Sequence, residues 1–139
     1  MLAADSWKTI DAARRSRILI VDDDPAVTDL FARMLRLEGY DVVVALTAEK
    51  GLVEVDAARP PDAVLLDLRM PFTDGLSFLR WLRAHESARR TPVAIITADY
   101  FLQETVSQEL RELDAAVYFK PLWFDDLVGI TQQLLRSVH

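Results

Sequence analysis

The chain has 139 residues, of which 51% are hydrophobic and 27% charged, with a net charge of −6 and no cysteine. That length holds one domain with a sizeable core, and the composition is that of a globular chain rather than a disordered one. The acidic balance argues against a general nucleic-acid or membrane-surface binder, and the missing cysteines exclude disulfides, thiol chemistry and Cys-ligated zinc.

Residues 1–16, MLAADSWKTIDAARRS, lack the apolar stretch of a signal peptide, and no apolar run approaches a membrane span of about 18 residues. The cytoplasm is the expected compartment. This segment reads as an N-terminal extension, a loosely docked tail. The spacing of Trp7, Ile10 and Ala13 is compatible with a short helix.

Arg17–Val21 (RILIV) is predicted as the first strand. Asp24-Pro25 then reads as a helix N-cap followed by proline at the first helical position. Val27, Leu30, Phe31, Met34 and Leu35 recur at helical spacing to Glu38, and Gly39 stops the helix. Tyr40–Ala45 is the second strand. A weaker second helix runs from Thr47 to about Arg59, before Pro60-Pro61. Ala63–Leu66 is the third strand, and Asp74 or Gly75 opens a third helix carrying Leu76, Phe78, Leu79 and Leu82. Pro92–Ile96 is the fourth strand and about Tyr100–Leu113 the fourth helix. Ala115–Phe119 is the fifth strand, and Phe124–Ser137 the last helix. Five strand–helix units in a row imply a doubly wound parallel sheet with helices on both faces.

The polar residues fall at the strand ends. Val21 runs into Asp22–Asp24, Leu66 into Asp67, Ile96 into Thr97 and Phe119 into Lys120-Pro121. Open parallel sheets bind ligands outside the carboxyl ends of their strands, where strand order reverses. In the flavodoxin-like order 2-1-3-4-5 that point lies between strands 1 and 3. Asp22, Asp23 and Asp67 then converge, with Thr97 and Lys120 arriving from strands 4 and 5. Asp67 stands at the rim of a shared acidic pocket rather than stranded in the core. Three close carboxylates repel, and a hard divalent cation such as Mg²⁺ resolves the repulsion. With a lysine and a threonine hydroxyl opposite, an aspartate can act as nucleophile and form an acyl phosphate.

The stretches ILIVDDDP, AVLLDLRMPFTDG, AIITAD and YFKP, in that order and spacing, resemble the receiver domain of two-component response regulators. The resemblance covers residues 17–138. It implies phosphorylation of Asp67 by a histidine kinase or histidine phosphotransfer protein, and self-catalysed phosphorylation and dephosphorylation rather than enzyme turnover. It implies Asp22 and Asp23 as the acidic pair holding Mg²⁺, Asp23 directly and Asp22 mostly through water, with the backbone carbonyl of Arg69 completing the shell. Thr97 is then the switch hydroxyl, Lys120 the phosphate partner, and Lys120–Pro121 a cis bond. In such domains the positions of Arg69 and Asp99 flank the entrance to the pocket; an Arg–carboxylate bridge across it, or contact of Arg69 with the phosphoryl oxygens, would slow hydrolysis, the competing reading being that both side chains point into solvent. The resemblance also implies an output face of helix 4, strand 5 and helix 5, serving an unidentified downstream protein or a homodimer. No direct contact with nucleic acid or membrane is expected.

Two positions depart from the family. Its switch aromatic stands three residues before the lysine, where this chain has Val117; Tyr118 lies one residue later, and strand alternation aims it at the other face. The usual Gly-Ala at the start of strand 5 is replaced by LDAAV, apparently one residue shorter, and no output domain follows the last helix. Trp123 and Phe124, just beyond Pro121, mark a candidate partner surface with Tyr118, the competing reading being that they pack in the core. Asp24 and Asp74 read as helix caps, Trp81 as half-buried packing, and His85 and His139 as solvated. Two other functions fit less well. A degenerate receiver would bind partners only, yet the full set of five residues is present. A haloacid-dehalogenase-like phosphatase would use Asp22, Asp24, Thr97, Lys120 and Asp125-Asp126, leaving Asp67 without a role.

Overall fold

The computed structural model describes residues 15–136. The helix considered at Trp7–Ala13, Ser137 and His139 lie outside the described residues. Among the described residues five strands, β1 (Arg17–Val21), β2 (Asp41–Ala45), β3 (Ala63–Leu66), β4 (Val93–Thr97) and β5 (Ala115–Phe119), alternate with five helices. The helices are α1 (Pro25–Leu37), α2 (Ala48–Val55), α3 (Gly75–Ala84), α4 (Glu104–Glu112) and α5 (Phe124–Arg136). All strands pair in parallel, in the expected order β2-β1-β3-β4-β5.

The alternation of side chains along the strands divides the core into two layers. Leu19, Val21, Val64, Leu66 and Ile95 pack with apolar residues of α2, α3 and α4. Ile18, Ile20, Leu65, Ala94 and Ile96 pack with Phe31 and Leu35 of α1 and with Leu127 and Ile130 of α5. Because both faces are covered, β3 and β4 are buried at every position, which is why they read as continuous apolar runs. The neighbours β1 and β3 send their following helices to opposite faces, and a crevice opens at their carboxyl ends.

Side-chain caps begin three helices. Asp24 accepts from the N–H groups of Ala26 and Val27, Thr47 from Lys50 and Asp74 from Ser77. Gly39, at φ +93°, follows α1. Two helices are shorter than their periodicity predicts. The second ends at Val55, not near Arg59: Asp56 caps it, and the Arg59 guanidinium is turned back to Asp41 and the Arg15 carbonyl. The fourth starts at Glu104, not Tyr100, because the Tyr100 side chain is held by Phe119 and the Lys120 carbonyl; Gln103 makes no side-chain cap.

One arginine ties the turns at the opposite end of the sheet. Arg83 donates from Nε to the Leu113 carbonyl (2.7 Å) and from Nη1 to those of Thr91 (2.5 Å) and Arg89 (3.2 Å). It thereby joins the α3–β4 and α4–β5 connections. In the second of these Asp114 takes φ +56°, a left-handed conformation at the place where the Gly-Ala pair is missing.

Candidate functional site

The backbone ladder continues beyond the strand ends and sets the site residues in place. The Asp22 N–H donates to the Ala45 carbonyl (3.1 Å), Asp67 to Val21 (2.8 Å) and Lys120 to Thr97 (2.8 Å). Asp22, Asp67 and Thr97 are only 3%, 7% and 0% exposed, whereas Asp23 is open to solvent. Carboxylate oxygens of Asp22, Asp23 and Asp67 all lie within 4.8 Å of one another. Lys120 Nζ donates to Asp22 Oδ2 at 2.6 Å and stands 4.0 Å from Asp67 Oδ1. The five residues read from the strand ends therefore meet around one crevice, and the Lys120–Pro121 bond is cis.

The electrostatics single out Asp67. Burial, then the charge of Asp22, push its pKa up to about 6, against the opposing pull of Lys120 and the Arg69 backbone N–H. Asp22 differs in having both oxygens engaged, Oδ2 by Lys120 and Oδ1 by the Asp24 N–H (3.0 Å). The all-oxygen, carboxylate-rich donor set has one lysine against three acids and fits a hard divalent cation.

Arg69 and Asp99 form the expected bridge at the crevice mouth. Nε and Nη2 of Arg69 both reach Asp99 Oδ2, at 2.8 and 2.6 Å. Both guanidinium donors thus converge on one oxygen, the other, Asp99 Oδ1, being occupied by the Phe101 N–H (3.1 Å). The hydrogen bond from Arg69 holds the Asp99 carboxyl below its usual range.

Tyr118 is half-buried on the α1/α5 side of the sheet and Val117 packs on the other side, as alternation requires. Trp123 is 74% exposed and does not pack in the core, while Phe124 is half-buried. Trp81 is half-buried, but His85 is not simply solvated: its ring stacks on Trp81 with centroids 4.5 Å apart. The constellation suited to a haloacid-dehalogenase-like phosphatase is not assembled. Asp24 caps α1, Asp126 accepts from the Trp123 N–H, and neither joins the acidic cluster.

Two residues next to the site escaped the sequence reading. A Cβ at Gly75 would lie 2.2 Å from the Asp67 carbonyl oxygen, so only glycine lets α3 start against the loop that follows Asp67. The Asp-Gly pair signalled a helix start but not that contact. Tyr100, read as the first helical residue, stacks instead on Phe119 and donates its hydroxyl to the Lys120 carbonyl. No local pattern signals a contact across 20 residues.

Comparison with known proteins agrees with the fold. The model of the response regulator receiver domain matches residues 18–132. The chain is 36% identical over 120 residues to the transcriptional regulatory protein TrcR of Mycobacterium tuberculosis, covering 86% of this chain and 45% of that protein. It is 37% identical over 121 residues to the regulatory protein AtoC of Escherichia coli, covering 87% and 25%. It thus spans less than half the length of either relative. A CheY-like response regulator receiver domain protein from Methanospirillum hungatei superposes with a TM-score of 0.79 at 29% identity, covering 89% of this chain and 96% of that one. No helix among the described residues is long and apolar enough to cross a membrane.

Proposed function

The chain belongs to the response regulator receiver domains, and on that premise we propose that Asp67 accepts a phosphoryl group from a histidine kinase or a histidine phosphotransfer protein. The observation that carries the reading is the convergence of the Asp22, Asp23 and Asp67 carboxylates within 4.8 Å, with Lys120 Nζ 4.0 Å from Asp67.

An Asp67 carboxylate oxygen attacks the phosphorus, the bond from phosphorus to the donor's imidazole nitrogen breaks, and the imidazole leaves with a proton. An acyl phosphate remains on Asp67. Lys120 neutralises charge on the transferring group, and the Thr97 hydroxyl offers a donor from β4. Asp22, Asp23, Asp67 and the Arg69 carbonyl are the residues that would hold Mg²⁺, which when bound shields the negative charge between carboxylates and phosphoryl oxygens. Asp23, exposed, is suited to bind directly; Asp22, already engaged at both oxygens, is suited to bind through water. Signal decay is attack by water on phosphorus, which returns the Asp67 carboxylate and releases inorganic phosphate.

The modified domain then presents α4, β5 and α5 to a downstream protein or to a second copy. Trp123, exposed at the entrance to α5, is the leading contact residue, beside Phe124 and Tyr118. The deciding experiment is labelling by a small phosphodonor in Mg²⁺. Wild type is expected to label on Asp67 and Asp67→Asn not at all; undiminished labelling of that variant would overturn the assignment.

A further inference from the structure

Residues 98–102 lead from β4 to α4 and make no backbone–backbone hydrogen bond among the described residues. Side chains hold the segment instead, and the tethers lead back to the acidic site or its rim. The Asp99 N–H donates to Thr97 Oγ1 (3.1 Å), and Arg69 donates to Asp99 Oδ2. The Tyr100 hydroxyl donates to the carbonyl of Lys120, the residue whose ammonium bonds Asp22. The Tyr100 ring stacks on Phe119, with centroids 5.4 Å apart and planes 24° from parallel. Both rings line a groove of about 350 Å³ between α4 and β5, together with Leu102, Ser107, Leu110 and Val117.

We propose that Tyr100 is a latch coupling the phosphorylation state of Asp67 to this groove. The inference rests on Asp67 being the phosphoacceptor. A phosphoryl group brings strong negative charge and three acceptor oxygens. Lys120 and the Thr97 hydroxyl are the side-chain donors placed at the strand ends to meet it. Turning Thr97 toward that charge takes away the acceptor of the Asp99 N–H. Drawing Lys120 toward it displaces the carbonyl that Tyr100 grips. One event therefore loosens both ends of the Tyr100 segment, the ring leaves Phe119, and the groove mouth opens. A site can bias such a two-state element only through contacts that differ between the states, and the hydroxyl–carbonyl bond is that contact.

The chain has no cysteine, so Val117→Cys places a single thiol in the groove. Its rate of reaction with a small maleimide reads the opening, while intact mass reads phosphorylation separately. Acetyl phosphate with Mg²⁺ is expected to raise the rate about fivefold, the population change worth roughly one net hydrogen bond. Adding Tyr100→Phe, which keeps the ring and deletes the hydroxyl, is expected to raise the unphosphorylated rate by the same factor. Little further response should remain, with phosphorylation undiminished. A phosphorylated protein whose thiol rate does not change would overturn the latch and leave the phosphoacceptor reading intact. A phosphorylation response that survives Tyr100→Phe would do the same. Failure of the protein to phosphorylate would overturn the coupling together with its premise.

Discussion

At the scale of single residues, Asp67 is held against its own charge. Its pKa, about 6 in the fold against 3.8 for an ordinary aspartate, means that the folded state binds the proton more tightly than the unfolded chain. The cost of ionising it in the crevice is absent below about pH 4, grows as pH rises, and is complete above pH 6. In chelator at pH 7, Asp67→Asn is therefore expected to stabilise the fold by roughly 2–3 kcal/mol, a gain that disappears below about pH 4. Urea unfolding at the two pH values measures it, and an equal gain at both would show that the effect is not electrostatic. For Arg69 and Asp99 the proposed function predicts an effect on time rather than stability. Their bridge is exposed on the arginine side and worth about 0–1 kcal/mol to folding. On the proposed function, the bridge would obstruct the water that hydrolyses the acyl phosphate, and 1 kcal/mol of barrier is about fivefold in rate. Arg69→Ala and Asp99→Ala should each speed decay of the phosphorylated protein in Mg²⁺, and the double variant should add nothing. Unchanged decay in both single variants would assign the bridge no kinetic role.

At the scale of elements, legibility followed the range of the contacts. The strands β1 and β3 have the bounds their apolar runs predict, because burial along nearly their whole length leaves an unbroken signal; the edge strand β5, with exposed positions, also has its predicted bounds, whereas β2 and β4 each begin one residue later than predicted. Asp22, Asp67, Thr97 and Lys120 were legible because each is the first polar residue after an apolar run, and Asp23 follows Asp22. The start of α4 was not, because the contacts that hold the Tyr100 side chain are made with Phe119 and the Lys120 carbonyl, and helical spacing carries no trace of them. Arg83 was equally silent: periodicity marks apolar faces, not where a guanidinium reaches. Yet it fastens α3 to the turns before β4 and β5, the strands that position Thr97 and Lys120. Arg83→Ala is expected to cost about 2 kcal/mol, the scale of hydrogen bonds from a charged donor. Arg83→Lys should recover little of that, since one ammonium cannot span carbonyls from both turns. Full recovery by lysine in urea unfolding would mean that charge, not the planar fork, fastens the turns.

At the scale of the whole molecule, fold and site are thermodynamically linked. The three carboxylates belong to loops after β1 and β3, and Lys120 to the loop after β5, so the crevice exists only when the sheet is assembled. A cation that binds there binds the native state alone and stabilises every part of it by mass action. At ten times its dissociation constant Mg²⁺ should add about 1.4 kcal/mol, seen as a rise in Tm of roughly 3–6 °C for a chain of this size. Asp23→Asn removes the carboxylate with fewest other obligations, so it should abolish most of the rise while barely changing Tm in chelator. Asp67→Asn should also blunt the rise, but from a higher starting Tm at pH 7, because it relieves the repulsion that the cation otherwise neutralises. The two variants thus separate coordination from charge relief, which a single substitution leaves mixed. Lowering pH through 6 should weaken the Mg²⁺ effect in wild type as Asp67 takes up its proton. Thermal unfolding against Mg²⁺, with sodium chloride at matched ionic strength as the control, decides the matter. An equal rise in the sodium control would mean that screening of the net charge of −6, not a site, stabilises the protein.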